Sequence, residues 1–218
     1  MDRRKILKIG AGSIVALFGV NAIAGSAEVC VRSFTPKQPE GPFYPKIPQT
    51  DTNSDLIYVN GSNQVAQGQI ILVEGVLTDQ HCRPVAGALV EIWQACHSGR
   101  YNHDLDPNPA ELDSNFQYWG KAVTDTDGLY RFRTILPGSY PAGNGWTRPP
   151  HIHFKVTKTG YLELITQMYF SGQALNKTDL ILQRLSPRQQ EQVVVELKTS
   201  ENLPHPVGQF NIQIEKLI

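Results

Sequence analysis

Arg148-Pro149-Pro150-His151-Ile152-His153-Phe154-Lys155-Val156 sets two prolines in front of an alternating polar and apolar run. Prolines donate no ladder hydrogen bond, so a strand starting here begins abruptly, with its first histidine at an irregular edge. Successive side chains on a strand point to opposite faces. Ile152 and Phe154 share one face, directed into a core. His151 and His153 share the other, roughly 6–7 Å apart along the backbone, close enough to hold one metal ion together. The same spacing suits two hydrogen-bonded polar rings. The motif alone leaves both readings open.

The pattern on either side is the same. Ile70–Thr78 is rich in β-branched residues, Asp79–Val85 reads as a turn, and Ala88–Ala95 as the returning strand. Further strands are expected at Lys121–Asp125, Tyr130–Ile135, His151–Lys158, Leu162–Phe170, Val193–Lys198 and Phe210–Ile214, with a short edge strand within 51–60. Closely spaced strands separated by turn residues, with little helical periodicity, predict an all-β sandwich. Leu180–Gln192 is the one helix-like piece, and Pro187 is expected to break it. Glu40–Pro45 reads as an extended segment laid over the surface. Two connections, Ala95–Tyr118 and Leu136–Pro150, are long, and both carry His, Tyr, Trp, Asp and Asn. Loops of that length and content favour function.

The 218 residues hold 20 Lys and Arg against 20 Asp and Glu. A formal charge of zero argues against an electrostatic nucleic-acid footprint. The first thirty residues differ from the rest: a basic run with Arg3-Arg4-Lys5, a short apolar run Ile14–Ala24, then small residues. That order is read as a secretory signal peptide of twin-arginine type over residues 1–30, followed by one domain over 31–218. The expected location is periplasmic or extracellular, with no stable membrane span after processing; an uncleaved anchor is the alternative. Of Cys30, Cys82 and Cys96, at least one must stay unpaired. The predicted strand between Cys82 and Cys96 would hold them too far apart to bridge.

Glu40–Pro45, Val90–Ala95, Gly99-Arg100-Tyr101, Pro137–Pro141, Arg148–Phe154 and Thr166–Phe170 come in the order and approximate spacing seen in intradiol ring-cleavage dioxygenases. The chain resembles that family from about Glu40 to Phe170, and is most similar to its protocatechuate 3,4-dioxygenase type. The resemblance implies a transthyretin-like sandwich with long active-site loops and a non-haem Fe(III) centre on Tyr101, Tyr140, His151 and His153. Hard phenolate donors suit the ferric ion. The implied reaction opens a catechol ring between its two hydroxyls with O2, giving a cis,cis-muconate-type diacid. Tyr140 would also take a substrate proton, Arg148 would stabilise developing negative charge, and Gln167 would hydrogen-bond the reacting oxygens. Assembly from related subunits, of this chain or a partner, is implied as well.

Two other readings stay open on the residues alone. Thr124–Phe132 through Tyr140 also resembles non-enzymatic transthyretin-like binding modules. A cupin-type Fe(II) oxygenase or zinc hydrolase would also use His-x-His, but needs a carboxylate soon after it, and the first acid past His153 is Glu163. Ala142-Gly143-Asn144-Gly145 departs from the family's usual pocket residues, so protocatechuate, catechol, hydroxyquinol and lignin-derived catechols are all open as substrates.

Overall fold

A computed structural model describes residues 33–217 except 48 and 50. The signal-like residues 1–30 lie outside the described residues. The strands are β1 (Ile70–Thr78), β2 (Leu89–Trp93), β3 (Trp119–Val123), β4 (Leu129–Ile135), β5 (Tyr140–Pro141), β6 (Thr147–Arg148), β7 (His151–Thr157) and β8 (Leu164–Phe170). After helix α1 (Pro187–Val193) come β9 (Val194–Val195), β10 (Leu197–Lys198), β11 (Val207–Gln209) and β12 (Ile212–Gln213). One sheet runs β10-β11-β1-β12 with β4 also paired to β1; the other runs β3-β2-β7-β8-β9.

The expected sandwich is present. Ile71, Val73 and Leu77 of β1 and Phe132 of β4 belong to the same buried cluster as Val90 and Ile92 of β2, and as Ile152, Phe154 and Val156 of β7. A second cluster holds Phe43, Trp93, Ala95, Tyr101, Trp119 and Tyr140. It covers the other face of the second sheet, so β7 is buried on both sides over His151–Phe154.

Several expectations need correction. Residues 51–60 form no strand; a single bridge from Asp55 to Arg133 stands there, backed by their ion pair. The connection Leu136–Pro150 is not wholly irregular, because β5 and β6 pair as a small hairpin, Tyr140 opposite Arg148. Pro187 starts a helix instead of breaking one. It occupies the first turn behind the Ser186 cap, and Ser186 and Gln189 exchange hydrogen bonds in a capping box. The segment Glu40–Pro45 is not merely draped on the surface: Phe43 is buried, which contributes roughly 1.5–3 kcal/mol toward holding the segment down.

Cys82 is disulfide-bonded and Cys96 is a free, buried thiol, so these two do not bridge, as expected. The turn carrying Cys82 is organised by Asp79, whose carboxylate accepts from the His81 and Arg83 backbone N–H groups and from Arg83 Nε. Burial alone would push this carboxyl up, but the Arg83 side chain and the two backbone donors outweigh it and hold it below the ordinary value. Such a depressed native pKa contributes stability that is complete above the unfolded value and fades as pH falls through the native one. Asp79→Asn is therefore expected to lose roughly 1–3 kcal/mol at neutral pH. Denaturant titrations of the variant and the parent should converge as the pH drops below about 3.

Candidate metal centre

Strand register assembles the site. Trp93 pairs with His153, His153 with Gln167, and His151 with Tyr169. These five side chains therefore lie together on the outer face of the second sheet. The other donors come from the two long loops. Tyr101 follows β2, and Tyr140 opens the small hairpin that ends at Arg148.

What lets these two loops meet is the absence of side chains at Gly99 and Gly138. A Cβ on Gly99 would stand 2.2 Å from the Ser139 carbonyl oxygen, and one on Gly138 would stand 2.4 Å from that of His97. Gly99 also has φ +83°, a conformation other residues rarely adopt. The Cys96 carbonyl accepts from both glycine N–H groups, at 3.0 and 2.9 Å, and ties the loops together. Tyr101 is fixed further by its backbone N–H, which donates to Asp106 at 2.6 Å.

The four expected ligands converge. The Tyr101 hydroxyl lies 3.5 Å from His151 Nε2. Ring centroids are 5.4 Å apart for Tyr101 and Tyr140, 5.0 Å for His151 and His153, 5.6 Å for Tyr140 and His151, and 6.3 Å for Tyr101 and His153. All four residues are at most 5% exposed. His151 Nδ1 donates to the Pro149 carbonyl at 2.7 Å, which fixes the tautomer and leaves the Nε2 lone pair facing the site. Arg148 Nη1 donates to that lone pair at 2.9 Å. Trp93 stacks on His153, centroids 4.8 Å apart and rings within 15° of parallel. Phe43 closes the group from above, 4.7 Å from the Tyr101 ring and 6.1 Å from the Tyr140 ring.

The electrostatics suit a cation. Burial, with Arg148 nearby, drives both histidines well below the ordinary imidazole value, so they stand neutral and able to donate lone pairs. Burial raises both phenols. Tyr140 raises Tyr101 further, while Arg148 works in the opposite direction on Tyr140. Among the described residues, the buried His153 Nδ1 has no hydrogen-bond partner. Among the described residues no group of three or more His, Cys, Asp or Glu could hold a metal ion. The donors gathered at this point are two phenols and two imidazoles. Two phenol oxygens, anionic once a bound cation displaces their protons, and two neutral nitrogens would suit ferric iron in kind, and the set contains no carboxylate of the sort a cupin-type site uses.

Arg148 and Gln167 sit in the same network. Arg148 Nη2 donates to Gln167 Oε1 at 2.8 Å and to the Tyr169 hydroxyl at 3.1 Å. Gln167 is fully buried, and its amide nitrogen donates to the Pro39 carbonyl at 2.8 Å. His103 stays apart from the donors; its Nδ1 accepts from the Leu105 backbone and its ring touches Phe43. Three contributors escaped the sequence reading: Asp179, Tyr169 and Phe43. Asp179 Oδ2 accepts from Arg148 Nε at 3.0 Å, thirty-one residues away in the chain. Phe43 and Tyr169 lie in stretches that carried a signal as motifs, Glu40–Pro45 and Thr166–Phe170; Asp179 carried none.

A β-sandwich carrying two histidines on one strand and two loop tyrosines beside them presents a buried candidate metal centre. A family model described as Dioxygenase matches residues 39–215, and the chain belongs to that family, the intradiol ring-cleavage dioxygenases. It is 47% identical over 120 residues to the protocatechuate 3,4-dioxygenase beta chain of Burkholderia cepacia, covering 53% of this chain and 51% of that one. It is 32% identical over 154 residues to catechol 1,2-dioxygenase 1 of Acinetobacter lwoffii, covering 65% and 48%. The match thus spans about half the length of either relative. Among solved structures, the dioxygenase domain of a dioxygenase carbohydrate-binding protein fusion from Streptomyces sp. SirexAA-E superposes with a TM-score of 0.62 at 27% identity. That match covers 84% of this chain and 99% of that one.

The close approach of the tyrosine loops is testable. Gly99→Ala forces both a contact with Ser139 and an unfavourable backbone. At about 1–3 kcal/mol of strain, the melting temperature is expected to fall by about 2–10 °C. An unchanged value in thermal denaturation would show that the loops do not meet this way.

Proposed function

We propose that the chain is a non-haem Fe(III) intradiol dioxygenase that cleaves a catechol ring between its two hydroxyls, using O2, to a cis,cis-muconate-type diacid. The observation that carries this reading is the meeting of Tyr101, Tyr140, His151 and His153 at one buried point, with the His151 tautomer fixed by Pro149. Tyr101, Tyr140, His151 and His153 would hold ferric iron, which would supply Lewis-acid chemistry to the phenols and to a catechol bound there. The protein supplies the rest. Pro149 and Trp93 hold the two imidazoles in orientation. Phe43, Trp93 and Trp119 form an apolar wall that keeps water from the site. Tyr140 Oη is the base for a substrate hydroxyl proton, and the neighbouring Arg148 guanidinium favours its anionic form.

The binding-module alternative does not explain why two phenols and two neutral imidazoles are buried together. The carboxylate-free donor set also disfavours a cupin-type centre. The substrate is a catechol, and the substituents it carries are left open by the departing hairpin tip Ala142–Gly145. The export reading draws support from Cys82, since stable disulfides belong to oxidising compartments. Among the described residues no helix is long and apolar enough to cross a membrane. Catechol-dependent O2 uptake confined to the cytosolic fraction would overturn the export reading.

The test is to load the purified protein with ferric iron, record the visible spectrum, and follow O2 uptake and products with a panel of catechols. A reddish protein that yields ring-opened diacids is expected; a colourless, iron-free protein inactive toward every catechol would refute the assignment. His153→Ala is expected to weaken iron retention by at least about 100-fold, the upper end of what losing even an outer-shell partner costs. Dialysis against a chelator with metal analysis reads this out. Because burial raises both phenols, iron must displace their protons. Uptake should therefore acidify a weakly buffered solution and tighten as pH rises from 6 to 8, by isothermal titration at about those two values.

A further inference from the structure

The Arg148 guanidinium bonds His151 through Nη1 and lies beside Tyr140, while its Nε is taken by a carboxylate from another part of the chain. Its Nε donates to Asp179 Oδ2 at 3.0 Å, and its Nη2 reaches Asp179 Oδ1 at 3.4 Å. Both side chains are buried, 4% exposed for Arg148 and 0% for Asp179. Asp179 is itself anchored by backbone: its Oδ1 accepts from the Ile181 N–H at 3.1 Å and from the Leu182 N–H at 2.8 Å. Leu182 is fully buried in the sandwich core. A rigid chain of contacts thus runs from the core through Leu182, Asp179 and Arg148 to His151 Nε2.

We infer that Asp179 is a positioning residue of the dioxygenase site, setting where the Arg148 guanidinium stands relative to His151 and Tyr140. The inference rests on the reading of this site as an intradiol centre. A long arginine side chain has several rotamers to choose from, and a buried carboxylate bonded to its Nε selects among them. The same carboxylate balances the buried guanidinium charge, so that the cation facing the site is held without being pulled away by a closer partner. The remaining acceptors, Gln167 and Tyr169 on Nη2 and His151 on Nη1, are neutral, and none of them bonds Nε.

Asp179→Asn isolates the effect. Its oxygen can keep the two backbone bonds of Oδ1, while its NH2 replaces Oδ2 and faces the Arg148 Nε donor. On iron-free protein, exchange of the Arg148 Nε proton with solvent, read by 15N NMR, is expected to rise by about tenfold or more. On iron-loaded protein, kcat for the preferred catechol is expected to fall by about 10–100-fold, the range for outer-shell partners, with KM and iron content little changed. Adding Asp179→Asn to Arg148→Gln should cost nothing further, because the first acts through the second. Should Asp179→Asn fail to fold, Asp179→Glu serves. It keeps the charge and shifts the guanidinium, so kcat should drop while iron content holds; wild-type kcat there overturns the inference. Unchanged exchange of the Arg148 Nε proton, or losses that simply add in the double variant, overturn it as well. Normal exchange behaviour in a protein inactive toward all catechols would instead fault the assignment of the reaction, since the NMR readout needs neither iron nor substrate.

Discussion

The alternation of side chains along β7 is the constraint on which everything else depends. Ile152, Phe154 and Val156 enter the sandwich core, so His151 and His153 have no choice but to leave on the opposite face. A slip of one residue would turn both imidazoles into the apolar core and the three apolar side chains to the opposite face. The register is held on both sides, by six paired positions with β8 and five with β2. The register that pairs β7 in the sandwich therefore also sets where both imidazoles of the candidate site stand.

The loops that bring the phenols are held differently. They carry little regular structure, and they meet because two glycines permit a backbone approach that any Cβ would block. Buried aromatic contact then covers the meeting point: Phe43 lies on Tyr101, and Trp93 on His153. The segment bearing Phe43 is stitched to β8 by polar bonds, since Gln38 reaches Thr166 and the Gln167 carbonyl, and Gln167 reaches Pro39. Burying so many polar groups is favourable only because they are mutually paired. Arg148 is the centre of that pairing, bonded at once to Asp179, Gln167, Tyr169 and His151.

How much of this was legible in the sequence follows from which contacts are local. The long strands were readable because each carries its own two-residue period; β1, β2, β4, β7 and β8 fall within a residue or two of their expected bounds. Strands of two residues, such as β5 and β6, carry no period to read. Residues 51–60 looked like an edge strand, but Asp55 is held by Arg133 of β4 rather than by a ladder of its own. Pro187 was misread because proline ends a helix in its interior and opens one at its first turn; Ser186 and Gln189 held the deciding signal. The histidines were visible from spacing. Tyr101 and Tyr140 were visible only through the order of motifs around them, since a tyrosine among glycines and prolines is common in loops. Asp179 was invisible, because nothing local distinguishes it and its partner lies on another element.

The central claim is that two phenol oxygens and two imidazole nitrogens from three separate elements serve one iron atom. A crystal structure of the iron-loaded protein, with anomalous diffraction measured on either side of the iron absorption edge, tests it directly. The account predicts a single strong anomalous peak bonded to Tyr101, Tyr140, His151 and His153. A peak elsewhere, or iron bound without one of the two tyrosines, would contradict it.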